Sequence, residues 1–171
     1  MKKIAIWVLT GSAFISQGVF AQNAYLGAAL GVTNYSDDGF DESDDGFKML
    51  AGIRVNENMA IEGNYMDFGR QEGPFHGIKS NIKIDGFGLA AVGILPLSNE
   101  FDLFGKVGVF GWNADLTVGS VSTSDDGTDM LFGFGAAYHV SNQFSLRTEW
   151  EFIDIDGGDL DMLSIGAQLS F

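Results

Sequence analysis

The amino-acid sequence predicts an all-β fold, an eight-stranded antiparallel up-and-down transmembrane β-barrel. Three features carry that expectation. Apolar residues alternate with small or polar ones through most of the chain. In the closing stretch LSIGAQLSF, Leu163, Ile165, Ala167, Leu169 and Phe171 share one phase, while Ser164, Gly166, Gln168 and Ser170 share the other. The connections between such segments switch regularly between short turns and long polar stretches. After residue 21 no run approaches the ~18 apolar residues of a spanning helix, and the chain is rich in Gly (24), poor in Pro (2) and 13% aromatic.

Residues 1–21 are expected to be removed. Lys2 and Lys3 precede an uncharged apolar run, and Val19 and Ala21 are the small residues a signal peptidase reads, which predicts cleavage after Ala21 and a barrel domain over 22–171. The remaining chain holds seven Lys and Arg against 23 acids, a balance of −16 that repels nucleic acid. The absence of Cys excludes disulfides and thiolate chemistry.

Period-two patterning places strands near 24–35, 47–55, 59–69, 82–95, 101–115, 128–140, 144–154 and 161–171, each about the 9–11 residues that a tilted strand needs to cross hydrocarbon. The second sets Phe47, Met49, Ala51, Ile53 and Val55 against Lys48, Leu50, Gly52 and Arg54. In the fourth, Phe87, Leu89, Ala91 and Leu95 read as outward, which leaves Lys83 and Asp85 at a wet outer rim. The fifth puts Lys106 in phase with Phe104, Phe110 and Trp112, a conflict that a bulge near Gly108 would relieve by re-aiming the last two outward. The sixth sets Phe132, Phe134, Ala136, Tyr138 and Val140 against Gly133, Gly135, Ala137 and His139, and the seventh sets Phe144, Leu146, Trp150 and Phe152 against Arg147, Glu149 and Glu151. The short connections are 56–58, 96–100 and 141–143. The long ones are 36–46, 70–81, 116–127 and 155–159. An even strand number puts both termini and all short turns on one side, as in a barrel with brief periplasmic turns. Lipid tolerates no unpaired strand, so the sheet must close.

The stretches YLGAALGVTNYSDDG, GIRVNENMAIEGNYMDFGR, LPLSNEFDLFGKVGVFGWNADL, FGAAYHVSNQFSLRTEWEF and MLSIGAQLSF resemble the transmembrane domain of OmpA-like outer membrane proteins and related small eight-stranded porin-family barrels. The resemblance implies the outer membrane of a Gram-negative bacterium, with lipids and lipopolysaccharide as surroundings. It also implies that the terminal Phe171 is read by the outer membrane assembly machinery. Larger members continue into a peptidoglycan-binding domain, whereas nothing follows Phe171 in this sequence, so wall tethering by this chain alone is not expected.

Lys48, Arg54, Lys106 and Arg147 fall on the inward phase with Glu62, Glu149 and Glu151. Charges inside a barrel must be paired or wet. Glu149 shares a face with Arg147, and the resemblance places Glu62 and Lys106 beside them, an ion network expected to plug the lumen. Further charged positions of the resembling family correspond here to Ala29, Val92 and Ala137, which weakens a gating reading.

The acids Asp37, Asp38, Asp41, Glu42, Asp44 and Asp45 invite loose divalent cation binding. An EF-hand frame through Asp41, Ser43, Asp45 and Gly46 fails, because Gly52 stands where Glu is required. Of the two histidines, His76 belongs to an outer loop and His139 to an inner turn, with no Ser or acid partner in register for either. No catalysis, cofactor or resident metal is therefore expected. The sequence favours a structural or surface-interaction role, with a narrow pore for small solutes or an adhesin as alternatives.

Overall fold

A computed structural model describes residues 23–37, 40–75, 78–118, 121–155 and 158–171. Within them eight strands follow in order: β1 (Ala24–Asp37), β2 (Phe40–Asn56), β3 (Met59–Phe75), β4 (Ile78–Pro96), β5 (Phe101–Val118), β6 (Val121–His139), β7 (Phe144–Ile155) and β8 (Gly158–Ser170). Each pairs antiparallel with its neighbour in sequence, and β8 pairs with β1 to close the cylinder. The start of β1, the end of β8 and the turns between β2 and β3, β4 and β5, and β6 and β7 lie at one end, called here the terminal end; the opposite end is the distal one. The expected signal segment, 1–21, lies outside the described residues.

The strands begin and stop at the terminal end where the sequence pattern predicts, but at the distal end they run much further. The stretches expected as long loops are mostly hairpin: β1 and β2 stay paired to Asp37↔Phe40, β3 and β4 to Phe75↔Ile78, β5 and β6 to Val118↔Val121, and β7 and β8 to Ile155↔Gly158. These extensions are mostly polar or glycine on both phases, so no polarity contrast imprints a period-two signal on their sequence.

Side chains outside the cylinder are large and apolar, as at Leu30, Phe87 and Ile165, each about 70% exposed. Water would not tolerate such a continuous belt, whereas acyl chains require it. Paired rings line it: Phe47, Tyr65 and Phe87 contact in series at 5.8 and 5.0 Å between centroids, and Trp150 lies 4.8 Å from Phe152 and 5.8 Å from Phe134. Near the distal boundary Lys83 pairs with Asp67 at 3.4 Å and Asp85 at 3.5 Å, which keeps these outward charges at a wet rim.

The bulge expected near Gly108 is not there. The β4–β5 register runs unbroken from Ser80↔Val118 to Pro96↔Asp102, so Phe104, Phe110 and Trp112 all point inward with Lys106. The pairing shifts instead in β3, between Asp67 and Arg70, where Gly69 adopts φ 78°. That conformation suits glycine, and a Cβ there would meet the Asp45 carbonyl oxygen at 2.5 Å.

Inside, the distal half is filled by apolar side chains, including Met66, Phe68, Phe110, Leu131, Ile153 and Met162, all at most 1% exposed. A second apolar layer of Tyr25, Leu50, Ala60, Val92, Phe104 and Ala137 lies towards the terminal end. Glycines such as Gly52 and Gly133 leave the space that Tyr25 and Lys106 occupy.

The two faces of β5 give a direct test. A Cβ at Gly108 would lie 2.2 Å from the Leu89 carbonyl oxygen and 2.6 Å from Ala90 Cα, whereas one at the outward Gly105 would meet nothing closer than 3.8 Å. Gly108→Ala is expected to cost about 1–3 kcal/mol of unfolding free energy and Gly105→Ala no more than about 0.5 kcal/mol. Urea unfolding from lipid vesicles measures both, and equal effects would contradict the inward placement of Gly108.

Candidate functional site

Between the two apolar layers lies a cluster of six ionised side chains drawn from four strands: Lys48 on β2, Glu62 on β3, Lys106 on β5, and Arg147, Glu149 and Glu151 on β7. Strand alternation puts each on the inward face, and every one is buried. Three cations face three carboxylates.

Arg147 grips Glu62, with Nη1 donating to Oε2 at 2.7 Å and Nη2 to Oε1 at 3.3 Å; Nη2 also donates to Glu149 Oε1 at 3.1 Å. Lys106 Nζ lies 2.8 Å from Glu149 Oε1 and 3.4 Å from Glu62 Oε1, and pairs with Glu151 as well. Lys48 Nζ bridges Glu149 and Glu151. Glu149 therefore receives all three cations. Around the ions, Tyr25 donates its hydroxyl to Glu62 Oε2 at 3.1 Å, Gln168 Oε1 accepts from Arg147 Nη1 at 3.3 Å, and the Phe104 ring lies 4.1 Å from Arg147 Cζ. Ring and guanidinium at that distance form a cation–π contact. Two residues distal to Glu62, buried Asn64 keeps both amide atoms without a protein partner.

The four residues that the sequence singles out, Glu62, Lys106, Arg147 and Glu149, meet directly. Lys48 and Glu151 join them. Their inward phase is legible in the sequence, but their partners depend on which strands face each other across the lumen. Tyr25 and Gln168 carry no sequence signal beyond their phase. Val92 and Ala137 face inward within the apolar layer, and Ala29 shares that phase on β1.

At the terminal mouth the structure corrects the reading of His139. The imidazole has both partners that the sequence does not reveal: Nδ1 lies 2.8 Å from Ser145 Oγ and Nε2 lies 2.9 Å from Asp102 Oδ2. Cross-strand register brings them together, since Ser145 stands directly opposite His139 and Asp102 stands opposite Ala137, two residues along. Arg54 reaches across from β2 to Asp102 at 3.0 Å. Ser145 is 2% exposed, and the group ties together β2, β5, β6 and β7. His76 and Asp38 lie outside the described residues. Among the described residues, no three His or carboxylate side chains converge as metal ligands, and Asp41 to Gly52 lie on β2 rather than in a cation loop.

The chain matches the family described as "Outer membrane protein beta-barrel domain" over residues 7–171. It is 29% identical over 197 residues to outer membrane protein A of Salmonella typhi, covering all of this chain and 56% of that protein. It thus spans about half the length of that curated relative. Among solved structures, Neisserial surface protein A aligns with a TM-score of 0.74 at 14% identity, covering 86% of this chain and 97% of that one. Ail, the attachment invasion locus protein of Yersinia pestis, aligns with a TM-score of 0.65 at 15% identity, covering 88% and 99%. At such identities the solved structures speak for the fold alone, and that fold is the outer membrane barrel.

Removing one carboxylate from the cluster leaves three buried cations facing two. Glu149→Gln, a near-isosteric change, is expected to lower unfolding free energy in lipid by about 3–5 kcal/mol. Urea titration of the vesicle-inserted protein measures it, and a loss below about 1 kcal/mol would mean that water or a shifted proton already compensates these charges.

Proposed function

The chain belongs to the outer membrane protein beta-barrel family and resides in the outer membrane of a Gram-negative bacterium, and from this premise we propose that it is a sealed barrel with a structural and surface-presenting role and no chemistry of its own. On this reading residues 1–21 are removed, the terminal end faces the periplasm and the distal hairpins stand outside the cell. Its immediate partners are outer membrane lipids and lipopolysaccharide, with loose divalent cations held near the acidic hairpins.

The observation that carries the proposal is the stacking inside the cylinder. A path for solute would have to break the six-ion cluster and then displace Phe68, Phe110, Leu131 and Met162, which are buried directly beyond it. Exchanging ion partners cannot open such a lumen alone, because the apolar layer offers a displaced ion neither water nor counter-charge. The pore alternative therefore needs two independent rearrangements.

Planar bilayer recording tests this. The refolded protein is expected to give no sustained conductance, and Glu149→Gln is expected to stay equally silent as long as its barrel remains folded. Steady channel currents from the unaltered protein would overturn the sealed-barrel reading in favour of a narrow pore.

The outward alternation of β8 ends on Phe171, whose N–H donates to the Ala24 carbonyl at 2.9 Å across the β8–β1 seam. We propose that the assembly machinery reads this residue. Phe171→Ala is expected to slow insertion without changing the final barrel, as followed by heat-modifiable gel migration over time in outer membranes. Unchanged kinetics would remove the assembly role and leave Phe171 a plain belt residue.

A further inference from the structure

The outward belt is interrupted on one side of the barrel. Ala51 of β2 stands directly opposite Gly63 of β3, so two of the smallest residues lie side by side, whereas the β7–β8 side of the belt carries Trp150, Leu163 and Ile165. The result is a hollow of about 760 Å³ on the lipid-facing surface, walled by Leu26, Val55, Ile61 and Phe171. A Cβ built on Gly63 meets nothing closer than 3.9 Å, so the space in front of it is open. From Val55 to Ala51 the hollow follows β2 for about 13 Å, close to the ~15 Å of hydrocarbon that one leaflet contributes. An apolar hollow at that depth stays dry, and leaving it empty forfeits dispersion contacts along its whole lining.

The rim at the terminal end has one sign. Residues 23–25, 55–59, 95–101, 140–144 and 169–171 contain no Lys or Arg, and Glu57 and Glu100 are their only charged side chains, both exposed. Glu57 sits in the turn between β2 and β3, two residues beyond Val55 and therefore at the mouth of the hollow. An anionic lipid meets repulsion there, and a second copy of the chain brings only further acids from its own turns. A zwitterionic phospholipid offers both halves of the match, an acyl chain for the hollow and an ammonium for the carboxylate. From the shape of the hollow, its depth and its base-free acidic rim, we propose that the terminal half of β2 and β3 is a seat for one phospholipid, whose acyl chain fills the hollow and whose headgroup ammonium, as in phosphatidylethanolamine, faces Glu57. Filling the hollow supplies the anchoring, and the exposed ion pair, weak by itself, sets the choice of headgroup.

The test refolds the full barrel into nanodiscs of equal phosphatidylethanolamine and phosphatidylglycerol. A trace of one or the other lipid carries a diazirine in its acyl chain, and the photo-adducts are mapped by peptide mass spectrometry. The ethanolamine probe is expected to label β2 and β3 around Ala51 and Gly63 about threefold more than the glycerol probe, with no such preference at Leu163 and Ile165 of β8. Gly63→Leu, which fills the hollow, is expected to lower labelling of that region at least about fivefold. Ala51→Leu fills the same hollow from the neighbouring strand, and heat-modifiable gel migration shows which variants have folded. Glu57→Gln lies outside the barrel wall and is expected to abolish the headgroup preference while leaving the total labelling unchanged. Equal labelling by the two probes, labelling spread evenly round the belt, or undiminished labelling of a folded variant with a filled hollow would each overturn the seat. So would efficient cross-linking of two barrels through Ala51→Cys, which would make a second copy the occupant.

Discussion

Hydrocarbon offers no partner to a backbone N–H or C=O, and the rest of this molecule follows from that single constraint. Each strand must be paired on both sides wherever lipid surrounds it, so β8 returns to β1 and the sheet has no edge within the membrane. Eight strands close on an interior only wide enough for side chains. The alternation that turns Leu30, Phe87 and Ile165 outward must also turn something inward, and the question for this protein is how those inward groups are satisfied without water.

They are satisfied in layers. Distal apolar groups pack as in a soluble core, the six ions neutralise one another, Tyr25, Phe104 and their neighbours pack on the other side of the ions, and Arg54, Asp102, His139 and Ser145 join strands at the terminal end. Taking six charges out of water is costly, and pairing at best offsets that cost. The cluster is therefore better understood as defining which arrangement is allowed than as a source of stability. Val92 and Ala137 stand in the apolar layer beside the cluster, so they offer the ions no alternative partner.

Much of this was legible in the sequence where lipid and interior impose opposite demands on successive residues. The terminal ends of the strands, the outward phase of β6, β7 and β8, and the inward phase of Glu62, Lys106, Arg147 and Glu149 all follow from period two. Three things were not. Phe110 and Trp112 look like belt residues, because an aromatic side chain suits acyl chains and a buried core equally; only the unbroken β4–β5 register decides. The distal hairpins look like loops, because their residues are mostly polar or glycine on both phases and so do not alternate. His139 looks solitary, because its partners lie on β5 and β7, and register across strands is a three-dimensional fact. The apolar distal interior left one trace, in that Met66, Phe68, Leu131 and Ile153 are apolar on the inward phase of strands whose outward phase is apolar too.

The ion cluster draws Lys48, Glu62, Lys106 and Arg147 from β2, β3, β5 and β7, and only the first two of these strands are adjacent. No hairpin can assemble it alone. A partly inserted sheet holds its charges apart, each stranded in an environment that penalises it, and a sheet that closes one step out of register aims them at lipid. Neutralisation is complete only for the finished cylinder, so these residues favour the correctly closed sheet over a slipped one.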